Sequence, residues 1–136
     1  MEPLTVPAAL GSLEVIAEYV ADAATAAGLD EKTSYRLHLA VDEITTNIIA
    51  HGYGDSGLSG SLDLLIEIDD QALTITIEDT GRSYDPANYQ RPDDLDLPPE
   101  QRKIGGLGVF LAMRSVDRFQ YEQVGDRNRH TLVLKR

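Results

Sequence analysis

Apolar residues at Leu13, Ile16, Ala17, Val20, Ala23, Ala24 and Ala27 recur at helical spacing, and Gly28 follows as a C-terminal cap. A second helix is predicted from Asp30, a plausible N-cap, with Leu37, Ala40, Val41, Ile44 and Ile48 on one face and a break at Gly52 and Gly54. The pattern then changes period. Leu62, Leu64, Ile66 and Ile68 alternate with polar residues, as do Leu73, Ile75 and Ile77, and Asp69-Asp70-Gln71 between them predicts an antiparallel hairpin. Leu4-Thr5-Val6-Pro7 reads as a short edge strand that Pro7 ends.

Residues 86–103 lose this periodicity. They hold four prolines and clustered acids, the composition of a functional lid or of disorder. Gly105-Gly106-Leu107-Gly108 then opens a short apolar helix over 109–115. A second hairpin closes the chain, with strands over 118–124 and 130–135 around a Gly125-Asp126-Arg127-Asn128 turn. Grouped strands and helices, without an internal repeat or linker, predict one α+β domain over 1–136, built as a two-layer sandwich.

Composition narrows the chemistry. The 136 residues include 23 acids and 12 Lys and Arg, a formal net charge of -11, which disfavours a nonspecific nucleic-acid binder. The absence of cysteine excludes disulfides, thiolate metal sites and cysteine nucleophiles. No apolar run reaches the roughly 18 residues of a membrane span, and the basic region of a signal peptide is missing, so a cytoplasmic location is expected. The charge is also uneven: residues 1–101 sum to -16 and residues 102–136 to +5. An anionic ligand would draw most of its cations from the later segment.

Three groups of residues could carry chemistry. Glu43 and Asn47 lie four apart on the second helix, at the margin of its buried face. A carboxylate and an amide oxygen there suit a general base and a hard-cation ligand, and a solvated helix rim explains them as well. Asp79 continues the inward set Leu73, Ile75, Ile77, so its carboxylate needs a donor, supplied by a ligand amine or by a backbone turn. Gly81, two residues on, allows close approach of backbone or ligand, and Asp85-Pro86 ends the segment. Gly105, Gly106 and Gly108 at a helix start offer N–H groups to phosphate, with Arg102 and Lys103 just before them. A Walker P-loop is excluded because no Lys-Ser or Lys-Thr follows the glycines, and a glycine hinge without a ligand remains the alternative.

In order and company these segments resemble the N, G1 and G2 boxes of the GHKL ATPase superfamily. Within it the chain is similar to the RsbW-type anti-sigma factor serine/threonine kinases: residues 43–53, Glu43-Ile-Thr-Thr-Asn47-Ile-Ile-Ala-His51-Gly-Tyr53, resemble the N box, Asp79-Thr-Gly81-Arg-Ser-Tyr84-Asp85-Pro86 the G1 box, and residues 105–117 the G2 box. Ile48, Ser83 and Tyr84 depart from the usual Ala, Gly and Phe. The resemblance implies a Bergerat-type fold, with a mixed, mostly antiparallel sheet covered by helices on one face and an ATP lid over about 86–108. It further implies ATP and Mg²⁺ as cofactors, with Asn47 on the metal, Asp79 on the adenine amino group and Gly81 beneath the base. Gly105, Gly106 and Gly108 would form the phosphate-facing hinge of the lid, Leu107 and Asp85 would also bind the nucleotide, and Arg102 and Lys103 are candidates for the γ-phosphate. Glu43 would accept the proton of an attacking serine.

The function so implied is a protein serine/threonine kinase of a partner-switching system. It would phosphorylate a STAS-domain anti-anti-sigma factor, bind and inhibit a sigma factor, and form a homodimer as related proteins often do. A catalytically weak, ATP-gated binding module is the alternative. A histidine kinase fragment is disfavoured, because His38 shares a helix with the N box and reads as a helix-surface or partly packed residue. Acidic Asp93, Asp94, Asp96 and Glu100 read as a solvated lid or as contacts for a basic partner.

Overall fold

The computed structural model describes residues 1–54, 60–81 and 114–136. Strand β1 (Leu4–Pro7) leads through a short 3₁₀ turn into helix α1 (Leu13–Ala26) and helix α2 (Glu31–Asn47). A π-helical segment, Ile48–Gly54, prolongs α2, and strands β2 (Ser61–Ile68), β3 (Ala72–Asp79), β4 (Arg118–Val124) and β5 (Arg127–Lys135) follow.

Local chemistry explains the helix ends. Gly28, at φ 70°, lets the chain reverse after α1: its N–H donates to the Thr25 carbonyl at 3.1 Å and that of Leu29 to Ala24 at 3.0 Å, the paired bonds of a Schellman cap. Arg136 adds a cation to this end, with Nε donating to the Ala27 carbonyl at 2.8 Å. Asp30 begins α2 by accepting from the Thr33 N–H at 2.7 Å. The expected break at Gly52 does not occur. The helix widens to π geometry and runs to Gly54, which turns both Ile49 and Tyr53 into the core.

The sheet order is β1-β2-β3-β5-β4, and every pairing is antiparallel. The parallel pairing admitted by a mixed sheet is therefore absent among the described residues. The β2–β3 hairpin turns where expected, with Asp69 Oδ1 accepting from the N–H groups of Gln71 and Ala72, both at 2.8 Å. The second hairpin is tighter than expected. Gly125, at φ 65°, and Asp126 form a two-residue loop, Val124 pairs with Arg127, and β5 starts three residues before position 130. Asn128 is consequently a strand residue, opposite Asp79.

One face of the sheet is apolar. Val6, Leu62, Leu64, Ile66, Leu73, Ile75, Ile77, Leu132 and Leu134 pack there with Ile16, Val20, Leu37, Ala40, Val41 and Ile44 of the helices, all buried. At about 1.5–3 kcal/mol for each large side chain, this layer supplies the main drive for folding. Ala23, Ala24 and Ala40, also buried, keep side-chain bulk between sheet and helices low. The opposite face carries ions: Arg127 pairs with Asp63 and Glu78, and Arg129 with Glu78 and Glu122.

Candidate functional site

Alternation along β3 puts Asp79 on the apolar face, 2 % exposed, at the end of the ladder with β5. Its carboxylate needs donors there, and two come from the chain. Oδ1 accepts from the Gly81 N–H at 2.9 Å and from Nδ2 of Asn128 at 3.0 Å. Nδ2 of Asn128 also donates to the Gly81 carbonyl at 3.1 Å, and the Tyr121 hydroxyl donates to Oδ1 of Asn128 at 3.0 Å. Each bond constrains the next, so Tyr121 orients the amide and the amide orients the carboxylate. Oδ2 of Asp79 accepts no bond among the described residues.

Burial pushes the Asp79 carboxyl above the usual carboxylate range, while the Asn128 and Gly81 bonds and the charge of Arg127 pull it down. The next inward residue of β5, His130, is 1 % exposed and lies beside Phe119 and Tyr121, with ring centroids 6.2 and 5.1 Å away.

The second group sits on α2. Asn47 is 8 % exposed, deeper than a helix rim, and Glu43 is half-buried. Nδ2 of Asn47 donates to the Glu43 carbonyl at 2.8 Å, which turns its amide oxygen away from that bond and leaves Oδ1 available as a ligand. A lone amide oxygen suits a magnesium ion that arrives on phosphates and keeps waters, not a protein-only cage. Among the described residues there is no group of three His, Cys, Asp or Glu able to hold a metal.

Tyr53 joins the two groups. It stands six residues beyond Asn47 on the same continuous helix, and its hydroxyl accepts from the Thr80 N–H at 2.9 Å, one residue after Asp79. The helix bearing Glu43 and Asn47 is thus bonded to the turn bearing Asp79 and Gly81.

The sequence profile described as the histidine kinase-like ATPase domain matches residues 6–135, which take in every described element of this fold but the first two residues of β1. The chain belongs to that family. Relatives of this ATPase domain include the serine-protein kinase RsbW of Halalkalibacterium halodurans, 28% identical over 123 residues that make up 88% of this chain and 74% of the relative. RsbW of Bacillus cereus strain AH187 is 30% identical over 114 residues, 76% of this chain and 70% of that one.

Two solved structures share the fold. One, the RsbU and RsbW domains of Rv1364c from Mycobacterium tuberculosis, matches with a TM-score of 0.63 at 15% identity, covering 100% of this chain and 33% of that one. The other, the SiaB–SiaC complex from Pseudomonas aeruginosa, matches at 0.69 and 13%, covering 98% and 89%. This chain thus spans a third of the mycobacterial chain and most of the pseudomonad one.

Of the site residues expected in this ATPase domain, the structure unites Asp79 with Gly81 and Glu43 with Asn47, and links the pairs through Tyr53. Asp85, Arg102, Lys103, Gly105, Gly106, Leu107 and Gly108 lie outside the described residues, as do the segment 86–108 and all but Arg114 and Ser115 of the following helix. His38 is exposed on α2, the helix-surface alternative of the two that the sequence leaves open. Sequence reasoning assigned Asn128 to a turn and gave Tyr121 no role. The signal that locates Asn128 is the Gly125-Asp126 dipeptide, which suits a two-residue hairpin loop with glycine first.

The excess of cations after position 101 is partly spent elsewhere. Alternation turns Arg127 and Arg129 to the face opposite Asn128 and His130, where acids pair with them, and Arg136 caps backbone carbonyls.

Proposed function

We propose that this domain binds Mg·ATP between the Asp79 turn and the α2 helix and transfers the γ-phosphoryl group to a serine or threonine of a STAS-domain protein. The observation that carries the reading is Asp79: a buried carboxylate, anchored through Oδ1 by Asn128 and Gly81, with Oδ2 left to accept from a ligand. An adenine amino group is a donor of the right kind, and Gly81 carries no side chain to obstruct the base. The names of the RsbW relatives support the kinase assignment.

Asn47 would hold the metal through Oδ1, and a magnesium ion there would neutralise charge on the β- and γ-phosphates. Glu43, one turn before Asn47, would accept the hydroxyl proton as the serine oxygen bonds to phosphorus and ADP leaves. Asp85, Arg102, Lys103, Gly105, Gly106, Leu107 and Gly108 complete the proposed nucleotide site, in a single domain of 1–136 whose lid spans about 86–108. The phosphoacceptor is an anti-anti-sigma factor, and its modification frees the kinase to hold a sigma factor.

The test is incubation of the protein with radiolabelled Mg·ATP and the STAS-domain proteins of its source organism. Label on a serine or threonine of one of them supports the kinase. Nucleotide binding without labelling removes the kinase and leaves an ATP-gated binding module. Absence of adenine-nucleotide binding removes both.

A further inference from the structure

The ladder between β3 and β5 ends at the pair Asp79 and Asn128, so the N–H of Thr80 has no strand carbonyl to meet. The Tyr53 hydroxyl meets it instead at 2.9 Å and donates in turn to the Ser61 carbonyl at 3.2 Å, at the start of β2. The phenol therefore acts as both acceptor and donor between two strand ends. Its ring is 2 % exposed and packed so closely against Gly60 that a Cβ there would lie 2.8 Å from Tyr53 Cε1. Any side chain at position 60 would displace the ring. On the helical side, Tyr53 continues without a break from Asn47 through π-helical turns.

We infer that Tyr53 is a positioning residue for the nucleotide: it sets the spacing between the Asp79-Thr80-Gly81 turn and the helix that presents Glu43 and Asn47. The inference rests on the nucleotide reading of the site. A ligand that contacts Asp79 at one end and Asn47 at the other gains full affinity only when both ends are held at the matching separation. Packing alone is served by the aromatic ring. The spacing is served by the hydroxyl, because the hydroxyl bonds the strand end.

The experiment compares wild type, Tyr53→Phe and Gly60→Ala for affinity towards Mg·ATP and towards adenosine, with thermal midpoints measured in parallel. Adenosine reaches only the Asp79 end. For Tyr53→Phe the expected loss is about tenfold or more for Mg·ATP and about threefold or less for adenosine, the larger loss corresponding to two misaligned ends. Gly60→Ala keeps the hydroxyl but moves the ring, and the same split is expected. In an Asn47→Ala background the split vanishes, because only one end remains to be aligned.

Equal loss for the two ligands would show a local effect on the turn and overturn the inference. So would unchanged affinities beside a lowered midpoint, which is a packing role alone. Wild type that binds neither ligand sinks the nucleotide reading and this inference together. Wild type that binds both, matched by Tyr53→Phe, sinks this inference only.

Discussion

The side-chain amide of Asn128 bridges Asp79 and Gly81, donating to the carboxylate at 3.0 Å and to the carbonyl at 3.1 Å. Residues 49 positions apart in the chain thereby share one buried polar centre. Asn128→Ala leaves Oδ1 of Asp79 with a single donor, and loss of a hydrogen bond to a buried charged group costs about 1.5–3 kcal/mol. Chemical denaturation should show a lower midpoint with an unchanged slope, and nucleotide affinity should drop alongside it. An Asn128→Ala protein as stable as wild type would show that the amide bond carries no net weight.

Asp79 gives a pH dependence with a definite sign. Burial raises its folded carboxyl above the unfolded value, so its contribution favours folding below the unfolded value and is lost as pH rises through the folded one. Asp79→Asn removes that loss while keeping an oxygen for Asn128 and Gly81. The variant should be at least as stable as wild type at pH 8, with the advantage shrinking towards pH 4. ATP affinity should fall by about 10-fold or more, since the paired charge-assisted bond is gone. A variant that is less stable at pH 8 and more stable at pH 4 would reverse the argument.

Glu43 is expected to act on transfer and not on binding. Glu43→Gln should reduce the phosphorylation rate of a STAS substrate by about 10²-fold or more, the usual weight of a general base, with ATP affinity within a few-fold of wild type. Single-turnover kinetics separate the two effects. Equal rates would relocate the base.

Gly28 occupies the left-handed region at φ 70°, between Thr25 and Leu29 of the α1 cap. Gly28→Ala has open space around the new methyl group, so its cost is conformational and amounts to about 1–2 kcal/mol. Calorimetry should register a lower melting temperature with nucleotide affinity unaffected.

The surface ion ladder is expected to matter little. Asp63, Arg127, Arg129 and Glu122 are 36–59 % exposed in their side chains, and such pairs contribute roughly 0–1 kcal/mol. Glu122→Gln should shift stability by less than that, and added salt should erase the difference.

Local periodicity sufficed for α1, α2, β1, β2 and β3, because each buries one face and the spacing of its apolar residues reports that face directly. The same alternation places Asp79 inward, and the i, i+4 spacing pairs Glu43 with Asn47. Where a residue's partner lies far along the chain, no such signal exists. The insertion of β5 between β3 and β4, the union of Asp79 with Asn128, 49 positions away, and the reach of Tyr53 to Thr80, 27 positions away, join residues distant in the chain. Sequence spacing encodes which face a side chain occupies. It does not encode which distant strand will stand opposite, since that is settled by packing all the elements on one core at once.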